Sequence, residues 1–107
     1  MEDPPRDAMI NVIGSLHVLE AARRMDVVRG VVVASSDKAY GDRGGEPYTE
    51  TMPVLPGAPY ETSKACADLI AQSYFSTYGT NLAIARLGNV FGGGDLNWSR
   101  LVPGTIR

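Results

Sequence analysis

Three side chains in this sequence have the types and the spacing to take a proton from an alcohol. Tyr60 and Lys64 stand four apart in Tyr60-Glu61-Thr62-Ser63-Lys64, and Ser36 closes the apolar run Val31-Val32-Val33-Ala34-Ser35-Ser36 upstream. On a helix, residues four apart share a face. The spacing therefore sets an ammonium beside a phenol, with the Ser36 hydroxyl arriving from a strand end. A phenol ordinarily gives up its proton near pH ~10, and a neighbouring positive charge favours the phenolate. Such a set is a general base for a sugar or alcohol hydroxyl, the chemistry that must accompany hydride loss from the same carbon. Tyr and Lys at this spacing also occur on ordinary exposed helices, so the surrounding elements decide the reading.

Those elements emerge from periodicity. From Asp7 to about Met25, the apolar residues Met9, Val12, Ile13, Leu16, Leu19 and Ala22 recur at helical steps, and Asp7 is the expected cap after Pro4 and Pro5. Asn11 and Gly14 are poor helix formers near its middle: surface tolerance and close packing explain them, or Asn11 reaches out to a neighbouring strand or a water. Val27 to Ser35 is almost wholly apolar and β-branched, which predicts a strand covered on both faces in a parallel sheet. Ser36 to Pro59 has no period and reads as a long loop, a length more often functional than not. A second helix is predicted from about Pro59 with Gly79 as its stop, then a strand from Asn81 to Leu87. The glycine-rich Gly88-Asn89-Val90-Phe91-Gly92-Gly93-Gly94-Asp95 comes next, and Leu101 to Arg107 opens a further helix. Helix, strand, long loop, helix, strand is a piece of an α/β architecture with a parallel sheet, whose ligands sit beyond the carboxyl ends of the strands.

The bulk properties remove other classes. The chain has 107 residues and a formal net charge of −2, which leaves no electrostatic footprint for nucleic acid or an anionic membrane. No apolar run approaches the ~18 residues that cross a bilayer, and the start has no signal or transit pattern. Cys66 and His17 are the only residues of their kinds, which speaks against a metal site and fits a reducing cytoplasm. His17 falls inside the first predicted helix and reads as a helix-surface or half-buried residue rather than part of a triad.

With these segments in order, the chain resembles the extended short-chain dehydrogenase/reductases, the NAD-dependent epimerase/dehydratase group that acts on nucleotide sugars. The resemblance rests on Asn11 to Ala22, on Ser35-Ser36-Asp37-Lys38-Ala39-Tyr40-Gly41, on the Tyr60/Lys64 helix, and on Arg86-Leu87-Gly88-Asn89-Val90-Phe91-Gly92. Asp37-Lys38 and the run from Gly88 to Asp95 look most like the CDP-glucose 4,6-dehydratase branch. It implies a Rossmann-like doubly wound parallel sheet, with residues 1–107 as one part of an NAD(P)-binding domain. It implies further that Tyr60 is the base, that Lys64 favours its phenolate and holds the nicotinamide ribose, and that Ser36 orients the sugar hydroxyl. Ser35, Leu87 and Gly88 then face the cofactor, NAD rather than NADP. Asn89 meets the substrate diphosphate, Arg100 and Leu101 hold the nucleotide end, and Asn11 steadies the site's backbone and water. A homodimer through the helices 7–25 and 60–78 is implied as well.

The implied reaction is oxidation at C4 of the sugar, loss of water across C5 and C6 with Asp37 as acid, and hydride return to C6. Lys38 stands where dehydratases with an Asp-Glu pair carry the C5 base, so a neutral lysine would have to serve. A solvated turn pair is the plainer reading of Asp37-Lys38. A 4-epimerase needs only Ser36, Tyr60 and Lys64, and a non-catalytic dinucleotide-binding or assembly module is the reading from another class. The family's G-x-x-G-x-x-G phosphate turn is missing from these residues. The expectation is therefore an internal fragment, without the N-terminal dinucleotide-binding half and the C-terminal substrate lobe, and inactive alone.

Overall fold

The computed structural model describes residues 3–106. The first helix, α1, is continuous through three segments: an opening turn Pro4–Asp7, a π-helical stretch Ala8–Gly14, and the α-helical Ser15–Arg23. Asp3 caps it, accepting from the Arg6 backbone N–H at 3.2 Å, and Asp7 lies inside the helix. The cap moves forward because Pro4 and Pro5 have no N–H to lose in the first turn and suit it. The wide π segment has Asn11 at its centre, and such segments are rare in helices.

Strand β1 (Val31–Ser36) and strand β2 (Leu82–Leu87) form a two-stranded parallel sheet, in register from Val31 opposite Leu82 to Ser36 opposite Leu87. The strand starts at Val31 and not Val27, because its partner starts only after Asn81. The Asn81 carbonyl accepts from Val31 N, and its side chain donates to the Arg29 carbonyl at 2.6 Å, closing the ladder there. Helix α2 (Pro59–Tyr78) crosses between the strands, with Pro59 in its first turn and Gly79 as a left-handed stop at φ 64°. A parallel pair needs such a crossover, and α2 supplies it. The short helix α3 (Leu101–Ile106) ends the described residues.

The core lies between the helices and one face of the sheet. Leu19, Ala71 and Tyr74 are buried there, with Leu16, Val31, Val33, Ile70, Leu82 and Ile84 packed around them. Buried Ala65, Ala67 and Ala71 keep α2 thin where it meets its neighbours. On the other face Val32 is 74% exposed, so the strand is covered on one side only, against the expectation of two. The sequence is apolar enough for two covered faces; this chain supplies helices for one.

The long segment after β1 is less irregular than its composition suggests. Ser36 accepts from Lys38 N at 3.2 Å and starts a 3₁₀ turn, Asp37–Tyr40. Gly41 comes next at φ 71°, where a β-carbon would lie 2.1 Å from the Leu55 carbonyl oxygen, so only glycine fits. Leu55 N donates to the Ala39 carbonyl at 3.1 Å and closes the loop on itself.

Glu20 joins the two helices by accepting from the Tyr74 hydroxyl at 3.0 Å, while Arg23 and Arg24 pair with the same carboxylate. The hydrogen bond from Arg23 outweighs desolvation, and with Tyr74 and Arg24 it lowers the Glu20 pKa from 4.5 to about 2. A depressed carboxyl stabilises the fold above its ordinary value and ceases to do so as pH falls through the folded one. Thermal unfolding of the native chain should therefore lose stability between pH 4.5 and 2 more steeply than that of Glu20→Gln. Parallel curves for the two proteins would refute the linkage.

Candidate active site

Beyond the carboxyl ends of both strands lies a cleft of about 360 Å³, lined by residues of five segments. The end of β1 and the 3₁₀ turn bring Ala34, Ser35, Ser36, Asp37 and Lys38. The first turns of α2 bring Tyr60 and Lys64, the end of β2 brings Leu87, Gly88, Asn89 and Val90, and Arg100 closes the rim. The helical spacing does what the sequence suggested: phenol and ammonium line one wall, and Ser36 stands in the same cleft.

Lys64 Nζ donates to the Ala34 carbonyl at 2.7 Å, which ties the ammonium to β1 and leaves its other two protons for a ligand. Tyr60 is 42% exposed and lines the cleft. Ser36 Oγ lies 3.2 Å from Asp37 Oδ1. A β-carbon on Gly88 would sit 3.7 Å from Asp37 Oδ2, so the carboxylate lies along the end of β2. Among the lining residues Lys38, Lys64 and Arg100 are cations and Asp37 the anion. A chain of net charge −2 thus concentrates positive charge at one concave place.

The supporting contacts are specific. Asn11 Nδ2 donates to Ser63 Oγ at 2.9 Å, and Ser63 Oγ donates to the Tyr60 carbonyl at 2.7 Å. Asn11 therefore braces the first turn of α2, a helix rather than a neighbouring strand. Glu61 accepts from the backbone N–H groups of Gly57 and Ala58, both at 3.0 Å, and fixes where α2 begins. Arg100 pairs with Asp95 at 3.1 Å, and Asp95 also accepts from Asn97 N, so the glycine-rich loop holds its own shape. Leu101 is outside the cleft. It is 81% exposed and lines an adjacent hollow with Asn89, Phe91 and Pro103. Ser35 lines the cleft with its side chain buried.

Three residues escaped the sequence reading. Asp68, fully buried on α2, receives a two-pronged bond from Arg86 of β2, with Nε–Oδ2 2.7 Å and Nη2–Oδ1 3.0 Å. Arg86 Nη1 also donates to the Tyr40 hydroxyl at 2.8 Å, and its guanidinium stacks 5.0 Å from the Tyr40 ring centre. Burial alone would raise the Asp68 carboxyl, but Arg86 and Gln72 hold it below the ordinary value. The signal was present as an arginine inside an apolar strand and an acid one turn beyond Lys64.

The model of the NAD dependent epimerase/dehydratase family matches residues 1–107. The chain belongs to this family. It is 35% identical over 116 residues to the CDP-glucose 4,6-dehydratase of Salmonella typhimurium, covering 99% of this chain and 32% of that protein. It is 34% identical over 92 residues to the UDP-glucose 4-epimerase of Mycolicibacterium smegmatis, covering 86% of this chain and 29% of that one. A dTDP-glucose 4,6-dehydratase double mutant from Streptomyces venezuelae, solved with NAD bound, superposes with a TM-score of 0.81 at 30% identity, over 99% of this chain and 34% of that one. The chain thus spans about a third of the length of these relatives. The α/β fold with its parallel pair is part of the Rossmann-like fold of the family.

The family's cofactor can be tried against the residues present. Lys64, with two N–H donors beyond its bond to Ala34, and Tyr60 on the same cleft offer hydrogen-bonding groups that would suit a nicotinamide ribose. No G-x-x-G-x-x-G occurs in the 107 residues, so the dinucleotide's pyrophosphate has no cradle among them.

The Asn11–Ser63–Tyr60 chain yields a direct expectation. Ser63→Ala should lower stability by about 1 kcal/mol and speed amide exchange at Glu61 to Lys64, read by denaturant unfolding and hydrogen exchange. Unchanged exchange in that turn would show that Asn11 does not brace it.

Proposed function

We propose that this cleft oxidises the C4 hydroxyl of a nucleotide sugar and then removes water across C5 and C6, as a 4,6-dehydratase that uses NAD. The observation that carries the reading is the meeting of Ser36, Tyr60 and Lys64 in one cleft with Asp37 and Lys38 beside them. Tyr60 takes the C4 hydroxyl proton, Ser36 orients that hydroxyl, and the Lys64 charge stabilises the resulting phenolate. NAD, when bound, would accept the hydride from C4 and give it back to C6 after water is lost, a proton returning to C5; Tyr60 and Lys64 would hold its nicotinamide ribose, beside Ser35, Leu87 and Gly88. Neighbours solved with NAD support this choice. Asn89 and Arg100 lie where an anionic diphosphate finds donors, and Leu101 flanks the nucleotide end from the adjacent hollow.

Once C4 is a carbonyl, the C5 proton is acidified and the 6-hydroxyl becomes a leaving group. A proton passed from Lys38 to Asp37 sets up the elimination: Asp37 then protonates that hydroxyl, and Lys38, left as the amine, takes the C5 proton. Both line the cleft, which supports dehydration over simple return of the hydride. The second reading is a 4-epimerase, supported by the epimerases among the relatives, and it needs neither Asp37 nor Lys38.

Residues 1–107 act in this reading as one part of an NAD(P)-binding Rossmann-like domain, in a cytoplasmic protein. No described helix is long and apolar enough to cross a membrane. We further infer a homodimer through α1 and α2, whose surface carries exposed Met9, Ile10, Val18, Leu69 and Phe75. Sedimentation velocity should find a two-chain species; a monomer at all concentrations argues against it.

Asp37→Asn, in the protein expressed from the full reading frame containing this chain, should retain C4 oxidation and lose the deoxy-keto product. Mass and ketone absorbance of the product decide. Normal dehydration by the variant removes the acid role from Asp37, and a product of unchanged formula from the native protein makes it an epimerase.

A further inference from the structure

Asp68 and Arg86 are not among the residues lining the cleft, yet their pair joins the three elements that bear the proposed acid, base and diphosphate groups. Arg86 immediately precedes Leu87 and Gly88 on β2. Asp68 is one helical turn beyond Lys64 on α2, and Tyr40 is two residues beyond Lys38 in the 3₁₀ turn. Through one guanidinium, the β2 end, the Tyr60/Lys64 wall and the Asp37/Lys38 turn are fixed to one another. Arg86 Nη1 also reaches the Glu50 carbonyl at 3.5 Å, and Tyr40 stacks on Tyr48 at 5.3 Å, which draws in the long loop.

A buried ion pair is a poor device for stability alone, since well-packed apolar residues of like volume are commonly as good or better. Its particular property is directional. The planar fork accepts only one orientation of the carboxylate, and Nη1 is left pointing at Tyr40. An apolar contact would tolerate sliding of α2 along β2, and the fork does not.

We propose that Asp68 and Arg86 are positioning residues for the proposed sugar oxidation, holding the base, the acid and the diphosphate-binding strand end in mutual register. This rests on the function proposed above for the cleft. The test is the double variant Asp68→Leu/Arg86→Met, which removes both charges together and leaves no unpaired one in the interior.

In ¹⁵N-labelled protein, backbone resonances of residues 37–38, 60–64 and 87–89 should all move in the folded double variant. Shifts confined to the immediate surroundings of residues 40, 68 and 86 would overturn the proposal. Should the double variant not fold, Arg86→Lys keeps the charge, removes the fork, and is read by the same resonances. In the protein from the full reading frame, kcat for sugar oxidation should fall about 10²-fold, the scale of a small misplacement, with a smaller rise in KM from the displaced strand end. A double variant with native kcat also overturns the proposal. If the native protein oxidises no nucleotide sugar, the function reading fails, and the resonance shifts still decide the positioning role.

Discussion

Parallel pairing of β1 with β2 is the constraint on which the rest depends. Two parallel strands end on the same side, so Ser36 and Leu87, opposite each other in register, deliver their following residues to one edge. The crossover helix must then run back against the strands, which returns its first turn, with Tyr60 and Lys64, to that edge. Lys64 completes the closure by bonding the Ala34 carbonyl across the gap. The cleft is thus the place where a parallel sheet leaves its strand ends open and its loops free to vary.

Charge is used in two different ways in this small chain. On the surface, Glu20 gathers Arg23, Arg24 and the Tyr74 hydroxyl and staples α1 to α2 in a setting that water can screen. In the interior, Asp68 and Arg86 meet with the carboxylate fully buried, where misalignment would leave an uncompensated charge. The first kind adjusts stability with pH. The second restricts geometry, because desolvation makes any departure from the forked arrangement costly.

The relatives include both dehydratases and epimerases. In the proposed reaction, oxidation at C4 needs a base, an oriented hydroxyl and a cation, the roles assigned there to Tyr60, Ser36 and Lys64. The fate of the resulting ketone depends on whether a further acid and base stand close enough to C5 and C6. Asp37 and Lys38 form a short 3₁₀ turn capped by Ser36 itself, so the residue that would orient the sugar also sets the acid beside it.

The sequence by itself determined the elements and most of the residues that line the cleft. Helical and strand periodicities fixed α1, α2, β1 and β2 to within a few residues, because local side-chain patterning responds to which face is buried. The Tyr60-Lys64 spacing predicted a shared helix face, a purely local matter of geometry. Where the reading slipped, a non-local partner was responsible. The β1 ladder could not start at Val27 because β2 begins after Asn81, and Asn11 found its acceptor on Ser63, 52 residues away. Only the tertiary structure decided that Asp68, Arg86 and Tyr40 would meet and that Leu101 would fall outside the cleft. Each depends on the packing of segments far apart in the chain, and no pattern within a segment encodes that distance.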